Sequence, residues 1–326
     1  MPHSLTKFRI GTRASKLALT QVAEVKTLLL QNTTLQESQI EIIPITTSGD
    51  KIQDRNLSDI GGKGLFIKEL EEALLAGKID IAIHSAKDVP PIVHAATQIA
   101  AFTQRKDARD YFISNKFSSI EQLPMHATVG TSSARRKAIL LRLRPDLKII
   151  NFRGNVDTRL GKLAEGQVDA TILALCGLNR LEKKIIAENI IPLETMLPAA
   201  GQGCLAIQVR QIMPSKKADS PTTASLASDE EILKITRQIN DAATESCANT
   251  ERSFLRELGA SCKTPVAAYC NKTAQGLLNL RTIIFDFDGS EIFASNFLGD
   301  DGKALAMLAA NEVKAKAAKL LAKICA

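Results

Sequence analysis

Two short patterns occur twice in this chain, in the same order. Ile10-Gly11-Thr12-Arg13-Ala14-Ser15 is echoed by Val129-Gly130-Thr131-Ser132-Ser133-Ala134. Leu75-Ala76-Gly77-Lys78-Ile79-Asp80-Ile81-Ala82-Ile83 is echoed by Leu163-Ala164-Glu165-Gly166-Gln167-Val168-Asp169-Ala170-Thr171-Ile172, with Gly77 matching Gly166 and Asp80 matching Asp169. The first pattern reads as a strand running into a helix, the second as a helix that stops at glycine and turns into a strand. Helix–Gly–strand junctions share this composition by default. Two matches in the same order nonetheless predict two related α/β units of about a hundred residues each.

The rest of the chain fits that frame. Phe8–Thr12 reads as a strand, Leu17–Leu30 as an amphipathic helix, and Ile40–Ile45 as a second strand whose Pro44 points to a sheet edge or a strand end. A helix over Leu65–Leu75 precedes the strand Ile79–Ile83. Ala127–Val129 and Leu147–Phe152 read as strands leading into helices. Strand–helix alternation of this kind builds α/β domains. After Val209 the run Pro214–Ser225 is polar and rich in Pro, Ser and Thr, as a linker is. A third unit follows, with a helical stretch Glu230–Leu258, strands near Ala267–Tyr269, Leu277–Thr282 and Ile283–Phe287, and a closing helix Ala304–Ile324.

Composition excludes several functions. A chain of 326 residues suggests two or three domains, and 45% hydrophobic content is that of a globular protein needing no disulfide or metal staple. No apolar run reaches the ~20 residues of a membrane span, and Met1–Thr12 lacks the apolar core of a signal peptide. The six cysteines form no C-x-x-C pair, which predicts reduced thiols in a cytosol. The net charge of +7 owes much to lysines of the last helix, a solvated face. With no Trp, two Tyr and no interleaving of aromatic and basic residues, nucleic acid is not the expected partner. None of the four His residues has metal-ligand spacing, so no metal site is expected.

The chemistry sits at strand-to-helix junctions. Arg13, Arg135, Arg136, Arg153 and Arg159 all fall there, flanked by Gly, Ser and Thr. Backbone N–H groups and a helix dipole attract anions at such a junction, and Arg forks select carboxylate or phosphate. Each Arg alone fits a surface ion pair; five across two repeated units fit a polyanion site better. Ser15, Thr131, Ser132 and Ser133 add hydroxyls, though helix capping also explains them. Asp88, in His84-Ser85-Ala86-Lys87-Asp88-Val89-Pro90, falls past the carboxyl end of a strand, where open α/β sheets place ligands and where a carboxylate could steady a developing cation. A turn before Pro90 explains it equally. Gly49–Gly64 reads as a lid or as a plain loop. Cys262 lies in a tight turn beside Lys263, which could activate it, although an isolated cysteine fits a buried, inert role as well.

Together these stretches resemble the porphobilinogen deaminase family, also called hydroxymethylbilane synthases. The matching residues are Gly11–Ser15, Gly61–Phe66, His84–Pro90, Gly130–Arg136, Arg153–Arg159, Leu197–Gly203, and Glu251-Arg252 through Cys262 to Pro265, in the family's order. Ala134, Cys204 and Gln208 stand where Leu, Ala and Glu are usual.

The resemblance implies a three-domain α/β fold. Two lobes like type II periplasmic binding proteins would flank a cleft, domain 1 over residues 1–104 and 200–221 and domain 2 inserted over 105–199. A smaller α/β domain over 222–326 would carry the cofactor. It implies a dipyrromethane cofactor in thioether linkage to Cys262, and stepwise condensation of four porphobilinogen molecules with loss of ammonia to give linear hydroxymethylbilane. Asp88 would be catalytic. Ser85, Lys87, Thr131, Ser132, Ser133, Arg135 and Arg136 would hold the cofactor, and Arg13, Ser15, Arg153 and Arg159 the substrate. A cytoplasmic monomer with no membrane or nucleic-acid partner is expected. A non-catalytic anion binder on the same scaffold would explain the arginines but leave Cys262 and the third domain idle.

Overall fold

The structure, a computed structural model, describes residues 7–48, 67–212, 223–261 and 263–325. The predicted lid glycines, most of the linker and Cys262 lie outside those residues. In chain order the elements begin with β1 (Phe8–Arg13), α1 (Lys16–Asn32), β2 (Ile40–Ile45), α2 (Lys68–Leu75), β3 (Ile81–Ser85) and β4 (Thr97–Phe102). Next come β5 (Asp110–Ser114), β6 (Thr128–Gly130), α3 (Ala134–Leu143), β7 (Lys148–Ile150), α4 (Val156–Ala164), β8 (Ala170–Ala174) and α5 (Leu175–Arg180). The chain ends with β9 (Leu205–Arg210), α6 (Thr223–Arg237), α7 (Ala242–Leu258), β10 (Val266–Lys272), β11 (Leu278–Phe285), β12 (Ile292–Gly299), α8 (Gly302–Lys316) and α9 (Ala318–Cys325). It divides into two compact units, Met1–Gln104 with Cys204–Glu245 and Arg105–Gly203 with Ser246–Ala326.

The first unit is built on a sheet of order β2-β1-β3-β9-β4, with β1 parallel to β2 and β3, and β9 antiparallel to its neighbours. Pro44 lies on the edge strand β2, as its missing N–H requires. Both faces are covered, which is why β3 reads as a continuous apolar run. Ile81 and Ile83 pack with Val22, Val25 and Leu29 of α1, while Ala82 faces Leu70 and Leu74 of α2. Ile232 and Ile235 of α6 complete the first of these cores.

The second unit holds a sheet of order β5-β8-β6-β7. Read backwards, β7-β6-β8-β5 repeats β2-β1-β3-β9, parallel strands first and an antiparallel one last. The register repeats too: Gly11 pairs with Ala82 as Gly130 pairs with Thr171. Asp80 Oδ2 accepts the Arg9 N–H at 2.7 Å, and Asp169 Oδ2 accepts the Thr128 N–H at 2.7 Å. Gly77 and Gly166 end their helices at φ +65° and +76°, backbone that favours glycine. The repeated sequence pattern is thus a repeated piece of structure.

The same unit carries a three-stranded antiparallel sheet, β10-β11-β12, packed on α7, α8 and α9 around Phe254, Leu280, Ile284, Ala306 and Ala309. Ala267 and Phe285 face the other way and join the core of Val129, Ala138 and Ile139. Several sequence expectations are corrected here. The segments Leu277–Thr282 and Ile283–Phe287 are one strand, β11, and β12 follows it. The stretch Glu230–Leu258 is two helices, because Asp241 accepts the Thr244 N–H at 2.7 Å and starts α7 anew. Asn240 and Asp241 are also bonded to the Phe102 backbone, at 2.9 and 2.8 Å. The closing helix breaks at Ala317.

Candidate active site

In the first unit the parallel strands β1 and β3 end at one edge, which brings Arg13, Ser15, Ser85, Lys87 and Asp88 to the carboxyl side of the sheet. Ser15 caps α1, its Oγ accepting the Ala18 N–H at 3.3 Å. Gln21 of α1 donates from Nε2 to Ser85 Oγ at 2.7 Å and ties the helix to the strand end. The chain then makes a single 3-10 turn, Ala86–Asp88, pinned where the Ala86 N–H donates to the Cys204 carbonyl at 3.1 Å. That turn lifts Asp88 into solvent, and its carboxylate makes no hydrogen bond or ion pair among the described residues. Lys87 beside it is half-buried.

In the second unit β6 and β7 run parallel and end together. The Ser132 hydroxyl joins their two loops, lying 2.6 Å from Asn151 Oδ1 and 2.8 Å from the Phe152 carbonyl and accepting the Phe152 N–H at 3.1 Å. Ser133 caps α3 and Asn155 caps α4. Thr131 Oγ1 accepts the Ser133 N–H at 3.2 Å. Arg159 donates from Nε to the Gly154 carbonyl at 2.8 Å. Burial pulls the Arg153 guanidinium below its ordinary value.

Arg135 and Arg136 are not surface residues. They are 4% and 6% exposed, and both turn onto Asp110 of β5, which is fully buried. Arg135 donates to Asp110 Oδ2 at 2.7 Å and to the Leu197 carbonyl at 2.7 Å. Arg136 donates to Asp110 Oδ1 at 2.7 Å and to the Ile172 carbonyl at 2.9 Å. Gln202 donates to the same Oδ1 at 2.9 Å. Burial alone would raise the Asp110 carboxyl, but the two guanidinium charges outweigh it and hold it well below the usual carboxylate range. Burial lowers Arg135, and the Asp110 charge opposes that shift.

The triad leaves two guanidinium charges against one carboxylate. The Nε–H groups of Arg135 and Arg136 are buried with no partner among the described residues. An orphaned buried donor costs ~1–3 kcal/mol, more if charged, so this corner is suited to a further anion. The carboxylates of a dipyrromethane group fit that requirement. After α7 ends at Leu258, Gly259 takes φ +69°, and the Thr264 N–H donates to the Ser261 carbonyl at 3.0 Å. Among the described residues no group of three His, Cys, Asp or Glu side chains could hold a metal, and no helix is long and apolar enough to cross a membrane.

Sequence reading missed the buried acids. Asp110 is the counter-charge that adjacent arginines demanded. Glu251, quoted above only as part of a matching stretch and given no role, is another, accepting from Arg105 at 2.7 and 3.0 Å, from the Gly201 N–H at 2.7 Å and from the Cys270 N–H at 2.6 Å.

The fold is that of an α/β protein of two related lobes with a further small α/β domain. Residues 8–217 match the family model of the porphobilinogen deaminase dipyrromethane-cofactor binding domain, and residues 245–320 match that of the porphobilinogen deaminase C-terminal domain. The chain belongs to the porphobilinogen deaminase family and is a transferase of tetrapyrrole biosynthesis. It is 45% identical to the porphobilinogen deaminase of Nitrobacter winogradskyi over 94% of this chain and 93% of that one. With the Paracoccus denitrificans enzyme the identity is 41% over 97% and 96%, and with the chloroplastic enzyme of Oryza sativa 40% over 95% and 84%. Among solved structures it is similar to the BvgS VFT2 domain of Bordetella pertussis, 17% identical over 77% of this chain and 91% of that one, with a TM-score of 0.40.

Proposed function

We propose that the chain condenses four porphobilinogen molecules head to tail, with Asp88 as the catalytic group. The buried Arg135–Arg136–Asp110 triad carries this reading, because its surplus positive charge and two orphaned donors call for a bound carboxylate. Cys262 would form the thioether that holds the dipyrromethane group. When bound, that group supplies the pyrrole end from which the chain grows. Arg135 and Arg136, with Ser85, Lys87, Thr131, Ser132 and Ser133, hold its carboxylates. Arg13, Ser15, Arg153 and Arg159 hold those of substrate and product chain. Each added unit brings an acetate and a propionate, so a set of Arg forks and hydroxyls is the chemistry required.

Loss of ammonia from porphobilinogen leaves a cation delocalised over the pyrrole. Asp88 stabilises that charge and accepts hydrogen bonds from pyrrole N–H groups, and it relays the proton released on coupling. Its exposed place beyond β3, without a competing partner among the described residues, supports the role. We place the enzyme in the cytoplasm as a monomer with no nucleic-acid or membrane partner; the free thiols of Cys176, Cys247, Cys270 and Cys325 accord with a reducing compartment.

Intact mass tests the assignment. The purified chain is expected to be heavier than its sequence by two pyrrole units, and Cys262→Ser to show the bare sequence mass with little activity. Arg136→Leu should be recovered largely as apoprotein, and Arg136→Lys should load only in part because it lacks the fork. Full loading of the Leu variant, or a fully active Cys262→Ser, would overturn these roles.

A further inference from the structure

One buried titratable group has no part in that chemistry, yet it stands directly before the turn that carries Asp88. His84 is 5% exposed. Its Nε2 lies 3.0 Å from Gln208 Oε1 on β9. Which nitrogen holds the proton follows from the partners behind Gln208. The Gln208 amide nitrogen lies 2.7 Å from Glu71 Oε1 on α2 and 2.7 Å from Thr97 Oγ1 on β4. The Thr97 hydroxyl donates its one hydrogen to the His94 carbonyl at 2.8 Å, so toward Gln208 it can only accept. Glu71 Oε1 accepts a second bond from the His94 N–H, at 3.1 Å. Both groups therefore demand donors, which orients the amide: its NH₂ faces Glu71 and Thr97, and its oxygen faces His84. That oxygen must receive a hydrogen, and His84 Nε2 supplies it.

We infer that Glu71 and Thr97, acting through Gln208, lock His84 as the Nε2–H tautomer, and that His84 and Gln208 are positioning residues for Asp88. The link to Asp88 rests on the role proposed for it above. His84 pairs with Ala206 in the β3–β9 register, and the next two residues are Ser85, held by Gln21, and Ala86, held by the Cys204 carbonyl. The base of the turn is thus fixed on each side. Gln208 and Thr97 are fully or almost fully buried. A buried chain whose every donor has an acceptor holds its members in one arrangement.

The chain has only four histidines, so ¹⁵N-labelled imidazole spectra of the full-length holoenzyme resolve the point directly. One ring, identified by its loss in His84→Gln, should show the Nε2–H pattern. An Nδ1–H pattern overturns the inference. For turnover, His84→Leu should lower kcat by about tenfold to a hundredfold with KM within about twofold, the scale of a small misplacement of a catalytic group. His84→Gln, which keeps a donor at the same reach, should recover most of that loss. Equal activity of the Leu variant and the parent, or no recovery by Gln, overturns the positioning role. Asp88→Asn with undiminished turnover would instead sink the role of Asp88, and the tautomer spectrum tells the two failures apart.

Discussion

At the scale of single residues, the site sets two carboxylates to opposite tasks by burying one and exposing the other. Asp88 stands in solvent, and in the role proposed for it its charge is the property the reaction would use. Asp88→Asn preserves shape and removes that charge, so kcat should fall about a hundred- to a thousandfold, worth ~3–4 kcal/mol. Substrate binding should suffer far less, because the arginines supply it. Single-turnover ammonia release measures the step, and an unchanged rate would reduce Asp88 to a turn residue. Asp110 has the structural task. Its folded-state pKa lies below the unfolded value, so its contribution to stability is present above about pH 4 and is lost as pH falls toward the folded value. Asp110→Asn strands two buried guanidinium groups and should cost ~3–5 kcal/mol at neutral pH. Urea unfolding should show the gap between parent and variant narrowing by about 1 kcal/mol at about pH 3. A gap independent of pH would assign the stability to packing rather than to the charge.

At the scale of elements, the hairpin between β11 and β12 adds a backbone contact to the packing of Ala267 and Phe285 on the helix bearing Arg135 and Arg136. Gly289 sits at its tip with φ +75°, and a Cβ there would lie 2.2 Å from the Ala138 carbonyl oxygen and 2.9 Å from the Arg142 nitrogen of α3. Backbone atoms cannot step aside, so Gly289→Ala must lift the hairpin off α3. Gly276, at φ +82° with nothing within 4 Å of a built Cβ, supplies the control, with like strain and no clash. Gly289→Ala should load the cofactor more slowly than Gly276→Ala at matched secondary structure, as followed by mass. Equal loading would show that this contact serves stability alone.

What could be read from the sequence divides along the same line between local and distant. The repeat was legible because glycine at positive φ and aspartate on a neighbouring strand's N–H are local necessities that leave fixed letters. The place of Ala86–Asp88 was legible because a strand end is. The burial of Arg135 and Arg136 was not, since their partner Asp110 is brought to them by a strand pairing, β5 with β8, that no local pattern encodes. Strand β12 escaped because its residues alternate between exposed and half-buried, and only the half-buried Phe293 and Phe297 pack against the core. The break between α6 and α7 escaped because Asn240 and Asp241 answer to Phe102, far away in the chain.

At the scale of the whole molecule, the charge imbalance in the second unit makes the apoprotein the strained form. Among the described residues the Nε–H groups of Arg135 and Arg136 are orphaned and one charge is in surplus; in the role proposed above, the cofactor's carboxylates would meet both deficits. Any ligand that binds only the folded chain stabilises it, and a covalent one does so without dissociating. Satisfying two buried donors at ~1–3 kcal/mol each predicts several kcal/mol. At about 2–4 °C per kcal/mol for domains of 150–250 residues, the holoprotein should melt roughly 5–15 °C above Cys262→Ser. The gain should be local to the triad. Amide exchange should slow most in peptides covering Thr131–Ile139 and Asp110–Ser114, and least in α6, which contributes no ligand group. Arg136→Leu in the Cys262→Ser background should then cost less than the same change in the loaded enzyme, since the guanidinium it removes is already short of a partner. Identical melting of apo- and holoprotein would mean that the buried charge is balanced within the chain, and the triad would cease to be the cofactor's anchor.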